Sequence, residues 1–175
     1  MLAGLGGAAL LAPCDQSYTG PDGEPADAGA ELIARVLEVT DGDTIVVELP
    51  GGGRESVRYI GIDTPESNPD QPLECFGHEA AEANERLVGG REVLLELGPE
   101  PRDDYGRLLA FVRLPRPAGG PAPDAAGLLV NAELVRRGFA RTLTIAPNDQ
   151  LAPLLRGLED AAGRAGVGLW GACSK

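Results

Sequence analysis

Three short runs rich in β-branched residues follow one another between Leu32 and Ile62, and the turns between them leave room only for antiparallel neighbours. Leu32–Val39 reaches Thr44–Leu49 through Asp41-Gly42-Asp43, and Pro50-Gly51-Gly52-Gly53 turns the chain into Arg54–Ile62. A three-strand meander is therefore expected. In its last run, Val57 to Ile62 places β-branched and aromatic residues on both alternating sets of positions, as a strand in a closed barrel requires. Arg58 is the exception, a cation inside an otherwise apolar strand.

The remaining periodicity adds two strands and three helices. Glu92–Leu97 alternates Glu92, Leu94 and Glu96 against Val93, Leu95 and Leu97 as a fourth strand, and Arg107–Leu114 reads as a fifth. His78–Val88 sets Ala80, Ala83 and Leu87 on one face with Asn84 at its edge, and Gly89-Gly90 stops it. A second helix is expected over Leu128–Arg137, with Asn131 as N-cap and Gly138 as its end, and a third from Leu151 to about Gly166, with Pro153 in its first turn. Pro115–Gly127 is rich in proline, glycine and alanine and reads as a surface insertion. Five strands with one helix after the third and two after the fifth are compatible with an α+β fold, the five-stranded oligonucleotide-binding (OB-fold) β-barrel. The length of 175 residues and a hydrophobic content of 43% suit one such domain, assigned to residues 32–175.

Chemistry concentrates at the strand ends. Asp63-Thr64-Pro65-Glu66 closes the third run with two carboxylates on a proline-stiffened turn near Arg58. Asp41-Gly42-Asp43-Thr44 offers further hard oxygen donors, and Asp104-Tyr105-Gly106-Arg107 opens the fifth strand with a second arginine. Oxygen donors such as Asp43 and Asp63 select calcium or magnesium over zinc. Taken singly, aspartates in turns usually cap them, and a lone arginine usually finds a surface acid.

Taken in this order and at these separations, the three motifs resemble the staphylococcal nuclease (thermonuclease) family, over roughly Leu32 to Trp170. The resemblance implies the OB-fold barrel and a calcium ion held by Asp43, Asp63 and the backbone carbonyl of Thr64. It further implies Glu66 as the general base, Arg58 and Arg107 as phosphate-binding catalytic residues, and Tyr105 as an aromatic packing on a nucleobase. Asp41 adds negative field beside the metal. DNA, and RNA beside it, would be the substrate, cut to leave 3′-phosphate ends. Two departures bear on substrate binding: Asp104 stands where the best-known member carries a basic residue, and Thr144 and Ala146 stand where it carries pocket tyrosines. The rival reading is a non-catalytic module binding nucleic acid or protein on the same fold, although this chain keeps all five arginine, glutamate and aspartate positions. Adhesion at the cell envelope is a third, for which the ordered motifs offer no reason.

The net charge of -12 runs against a polyanion binder, which should show a basic face. Residues 1–31 hold five of the acids and no base, leaving 22 acidic against 15 basic residues in the rest. Affinity for nucleic acid should therefore depend only weakly on salt. Residues 1–14 form a signal-like or lipoprotein-like segment in which Leu11-Ala12-Pro13-Cys14 resembles a lipidation box with Cys14 acylated; residues 15–31 read as a disordered acidic tether. Export is expected, to the outside of the cell or to a lipid anchor on the membrane, as a monomer. With Cys14 so engaged, Cys75 and Cys173 remain as an even pair. A disulfide between them is expected, stabilising the fold by about 4 to 5 kcal/mol on the chain-entropy account; in a cytosolic chain two reduced thiols would be the better reading.

Overall fold

In the computed structural model, residues 28–67, 72–115 and 127–173 are described. The strands are β1 (Glu31–Asp41), β2 (Thr44–Glu48), β3 (Arg54–Tyr59), β4 (Ile62–Asp63), β5 (Glu92–Arg102), β6 (Leu108–Leu114), β7 (Leu128–Leu129) and β8 (Arg141–Thr142). The helices are α1 (Gly77–Val88), α2 (Val130–Arg136), α3 (Ala152–Ala165) and α4 (Leu169–Ala172).

The sheet order is β3-β2-β1-β5-β6-β7, and β3 also pairs with β6, in parallel, so that five long strands close on themselves. This is the expected OB-fold α+β barrel. Closure is possible because β1 is long enough to serve two partners. Its first half pairs with β5 and its second with β2, and the register breaks between Val36 and Glu38, where an extra residue bends the strand. Val36, Ile45, Val57, Leu95 and Leu108 fill the interior, and Leu134, Val135 and Leu155 cover it from α2 and α3.

Several boundaries move from the sequence expectation. Residues Leu128–Leu129 extend the sheet beside β6, so the second helix begins at Val130. Asn131 does not cap it. Leu129 occupies that position without a side-chain bond, while Asn131 is buried, accepting from Val112 N–H at 2.9 Å and donating to Ile60 O at 2.8 Å. An amide on an apolar helix face here ties the barrel's β6 to the turn after β3. The third helix ends as expected at Gly166, in the left-handed region at φ 60°. Strand β8 and helix α4, both very short, had no periodic signal to announce them.

Cys75 and Cys173 form the expected disulfide, with their α-carbons 5.9 Å apart. It joins the segment before α1 to the end of α4. Cys14, the acidic tether up to residue 27 and most of the proline-rich insertion lie outside the described residues.

Candidate active site

The two acidic turns meet because nothing larger than glycine separates them. A Cβ on Gly42 would lie 2.7 Å from Thr64 Oγ1, so the β1–β2 turn can rest directly on the chain after β4. Across that contact, Asp43 Oδ2 accepts from Thr64 N–H at 2.8 Å and from Thr64 Oγ1 at 3.0 Å, and Asp43 Oδ1 accepts from Thr44 Oγ1 at 3.0 Å. Asp43 is 4% exposed, a depth at which a carboxylate needs these donors.

Strand register brings Arg58 to the same place. Arg58 pairs with Thr44 across β2 and β3, and one guanidinium nitrogen lies 3.0 Å from Asp43 Oδ2 and 2.9 Å from Ile62 O while the other lies 2.8 Å from Asp63 Oδ1. The planar fork bridges both aspartates through two different nitrogens, a geometry the single nitrogen of a lysine would not reproduce.

The carboxylates around it crowd one another. Burial raises the pKa of Asp41, opposed by its bonds from Ser67 Oγ at 2.7 Å and Gly42 N–H at 2.8 Å and reinforced by Glu66, whose carboxyl lies beside it. Burial likewise raises Asp63, Arg58 lowers it, and Asp43, Glu74 and Asp41 add to the rise. Such a cluster of hard oxygen donors, with a single arginine among them, suits a divalent cation. Among the described residues no three acidic, histidine or cysteine side chains converge to chelate one. Asp43 and Asp63 spend their oxygens here on Thr44, Thr64 and Arg58, so an ion at this turn would have to share them with the guanidinium.

Arg107 is held by its own loop. Asp103 Oδ1 accepts from the backbone N–H of Tyr105 and of Arg107, at 3.0 and 2.9 Å, and Asp103 Oδ2 takes the Arg107 Nε–H at 2.7 Å. The guanidinium carbon sits 5.4 Å from the centre of the Tyr105 ring. Because Val57 and Leu108 pair in the parallel β3–β6 contact, Arg58 and Arg107 open on one cavity of about 380 Å³. Tyr105, 86% exposed, stands at its rim with Asp104 and Glu100.

The far wall is aliphatic. Leu143 and Ile145 line the cavity, and Thr144 and Ala146 do not. Thr144 and Ala146, which stand where the family's best-known member has tyrosines, alternate with the two lining residues along the segment. Leu143 N–H donates to Gly61 O at 3.0 Å. Asn148, which sequence reasoning missed, anchors the segment: it accepts from Glu100 N–H at 3.0 Å and donates to Glu100 O at 2.9 Å. Asn84 was also missed as a support. It accepts from Tyr59 OH at 3.0 Å and donates to Asp41 O at 3.1 Å, and its signal was a fully polar amide beside Ala80 and Ala83.

Comparison with known proteins agrees with this geometry. Residues 56–172 match the family described as staphylococcal nuclease homologue. The chain is 33% identical to the thermonuclease of Staphylococcus intermedius, over 79% of its own length and 74% of that protein. It is 31% identical to the thermonuclease of Staphylococcus hyicus, over 80% and 76%. Endonuclease YhcR of Bacillus subtilis (strain 168) is 32% identical over 71% of this chain, which spans 10% of that protein. With the barrel closed as the OB-fold requires, both arginines on one cavity and these relatives, the chain belongs to the staphylococcal nuclease family of nucleic-acid hydrolases.

Proposed function

We propose that this protein is a calcium-dependent nuclease that hydrolyses phosphodiester bonds of DNA, with RNA as a second substrate, and leaves 3′-phosphate ends. The observation that carries the reading is Arg58, which binds both Asp43 and Asp63 and also lines the cavity shared with Arg107. A phosphate placed there meets two guanidinium forks, one of which reaches back into the carboxylate cluster. Calcium held at Asp43, Asp63 and the Thr64 carbonyl would supply positive charge to the phosphate oxygens and acidify nearby water.

The chain's own groups do the rest. Glu66, half-buried beside Asp41, takes a proton from the attacking water as its oxygen bonds to phosphorus. The bond to the 5′ oxygen breaks in line with that attack, and solvent protonates the departing alkoxide. Arg58 and Arg107 hold the equatorial oxygens as their charge grows, the step at which fixed donors stabilise most. Tyr105 and the aliphatic wall of Leu143 and Ile145 receive a base.

We place the protein outside the cytoplasm, as a secreted or Cys14-anchored monomer; the Cys75–Cys173 disulfide supports this, since such bonds persist in oxidising compartments. The test is cleavage of single-stranded and duplex DNA and of RNA with calcium, with excess chelator and with end-group analysis. Loss of cleavage on chelation and 3′-phosphate products are expected. Full activity in chelator would remove the calcium assignment, and tight binding without cleavage would favour a recognition module.

A further inference from the structure

The peptide of Glu66 is gripped from a segment that plays no part in the chemistry above. Glu74 N–H donates to Glu66 O at 3.0 Å, and Glu74 Oε2 accepts from Glu66 N–H at 3.2 Å. Gly77, the first residue of α1, passes so near that a Cβ there would lie 2.2 Å from Glu66 O. Between these two contacts sits Cys75, bridged to Cys173 just past α4. A cavity of about 410 Å³, lined by Asp63, Thr64, Glu74 and both cysteines, places the bridge against the metal-ligand turn.

We propose that Glu74 is a positioning residue for Glu66 and that the Cys75–Cys173 disulfide keeps it in place, so that turnover depends on the oxidised state of this bond. The inference rests on Glu66 being the base. Glu66 leaves β4 through only Thr64 and Pro65, and its backbone N–H and C=O are both met by one residue eight positions on. If Glu74 withdraws, the Glu66 peptide can turn and carry the carboxylate away from the water it must deprotonate. A displacement on the order of 1 Å at a reacting group costs about a hundredfold in rate. The loss falls on kcat, because Glu66 contributes little to binding substrate in its ground state. The bridge matters because residues 74–76 precede the first helical turn and lie on the surface, where the link to α4 holds them from a second side.

The experiment measures kcat and KM on single-stranded DNA at saturating calcium for the parent, Glu74→Ala, Glu74→Gln, the Cys75→Ser/Cys173→Ser pair, the triple variant with Glu74→Ala, and Glu66→Gln. Glu74→Ala should lower kcat by about 10- to 100-fold and leave KM within about twofold. Glu74→Gln, whose amide oxygen can still accept the Glu66 N–H, should stay within about threefold of the parent. Glu74→Ala keeps the backbone bond to Glu66 O, so the serine pair, which frees both bonds, should lose kcat at least as far, and the triple variant should fall no further than the serine pair. Reducing the parent where its far-ultraviolet dichroism is unchanged should lower activity in proportion to the thiols released. Parent kcat in Glu74→Ala, or in reduced folded protein, overturns the proposal. So does a Glu74→Gln as slow as Glu74→Ala, which would assign the effect to charge beside Asp63. Glu66→Gln separates the premises: if it is slow while Glu74→Ala is normal, positioning alone fails; if it cleaves at the parent rate, the base assignment fails and takes positioning with it.

Discussion

The carboxylate cluster behind Arg58 and the pocket in front of it are built on different principles. At the carboxylate end, Asp43, Thr64, Arg58 and Asp63 hold one another across neighbouring strands and turns, and strand register fixes who meets whom. At the pocket end, Leu143 and Ile145 ride on a segment without regular structure that Asn148 ties to Glu100, 48 residues away in sequence. The first arrangement cannot change one member without disturbing the barrel. The second can vary its wall while the barrel stays put.

The largest effect should come from the carboxylate end. Arg58→Lys replaces a fork that bridges two aspartates by a point charge, and kcat should fall by about 10²- to 10³-fold, as when a fixed transition-state donor is lost. Steady-state kinetics at saturating calcium measure it. An unchanged kcat would mean that the bridge has only a structural role.

A smaller and different effect should follow at the other end. Asn148→Ala removes both bonds to the Glu100 backbone, which is exposed and can turn to water instead, costing about 1 to 2 kcal/mol in denaturant melts. Activity should suffer mainly through a raised KM, because the wall moves and the arginines do not. A fall in kcat matching that of Arg58→Lys would erase the separation between the two ends.

The smallest effect concerns the network under Asp41. Tyr59 is fully buried, and burial above all pushes its phenol above the usual tyrosine range, with Asn84 opposing and Asp43 adding to the rise. Above about pH 10 the unfolded chain loses this proton and the folded chain keeps it, so the folded state binds more protons and stability falls as pH rises, by about 1.4 kcal/mol per pH unit. Below about pH 10 both states hold the proton and the contribution is constant. Tyr59→Phe should flatten the alkaline slope by one proton. Equal slopes for parent and variant between pH 10 and 11 would show that the phenol ionises without unfolding.

What could be read from the residues follows the same division. Strands β1, β2, β3 and β6 and the motifs at their ends were legible because turn residues fix a short meander and β-branched runs fix its faces. Arg58 stands out as a cation in an apolar strand, whereas the close approach of Gly42 to Thr64 that lets Asp43 meet it is visible only in the fold. The pocket wall was not legible to the residue, since no periodicity runs from Ala140 to Asn148. Asn131 was read as a cap because polar residues near helix starts usually are, and burial reversed that reading. Pairing of the cysteines was legible from their odd number, whereas the nearness of the bridge to Glu66 depended on Glu74 folding back, which sequence does not display.

Single-turnover cleavage and equilibrium binding of one labelled DNA by Glu66→Gln, at saturating calcium, test the central claim most directly. With the base replaced by an amide, the cleavage rate should fall by about 10²- to 10⁴-fold, with affinity within a few-fold of the parent. Cleavage by Glu66→Gln at the parent rate would contradict it.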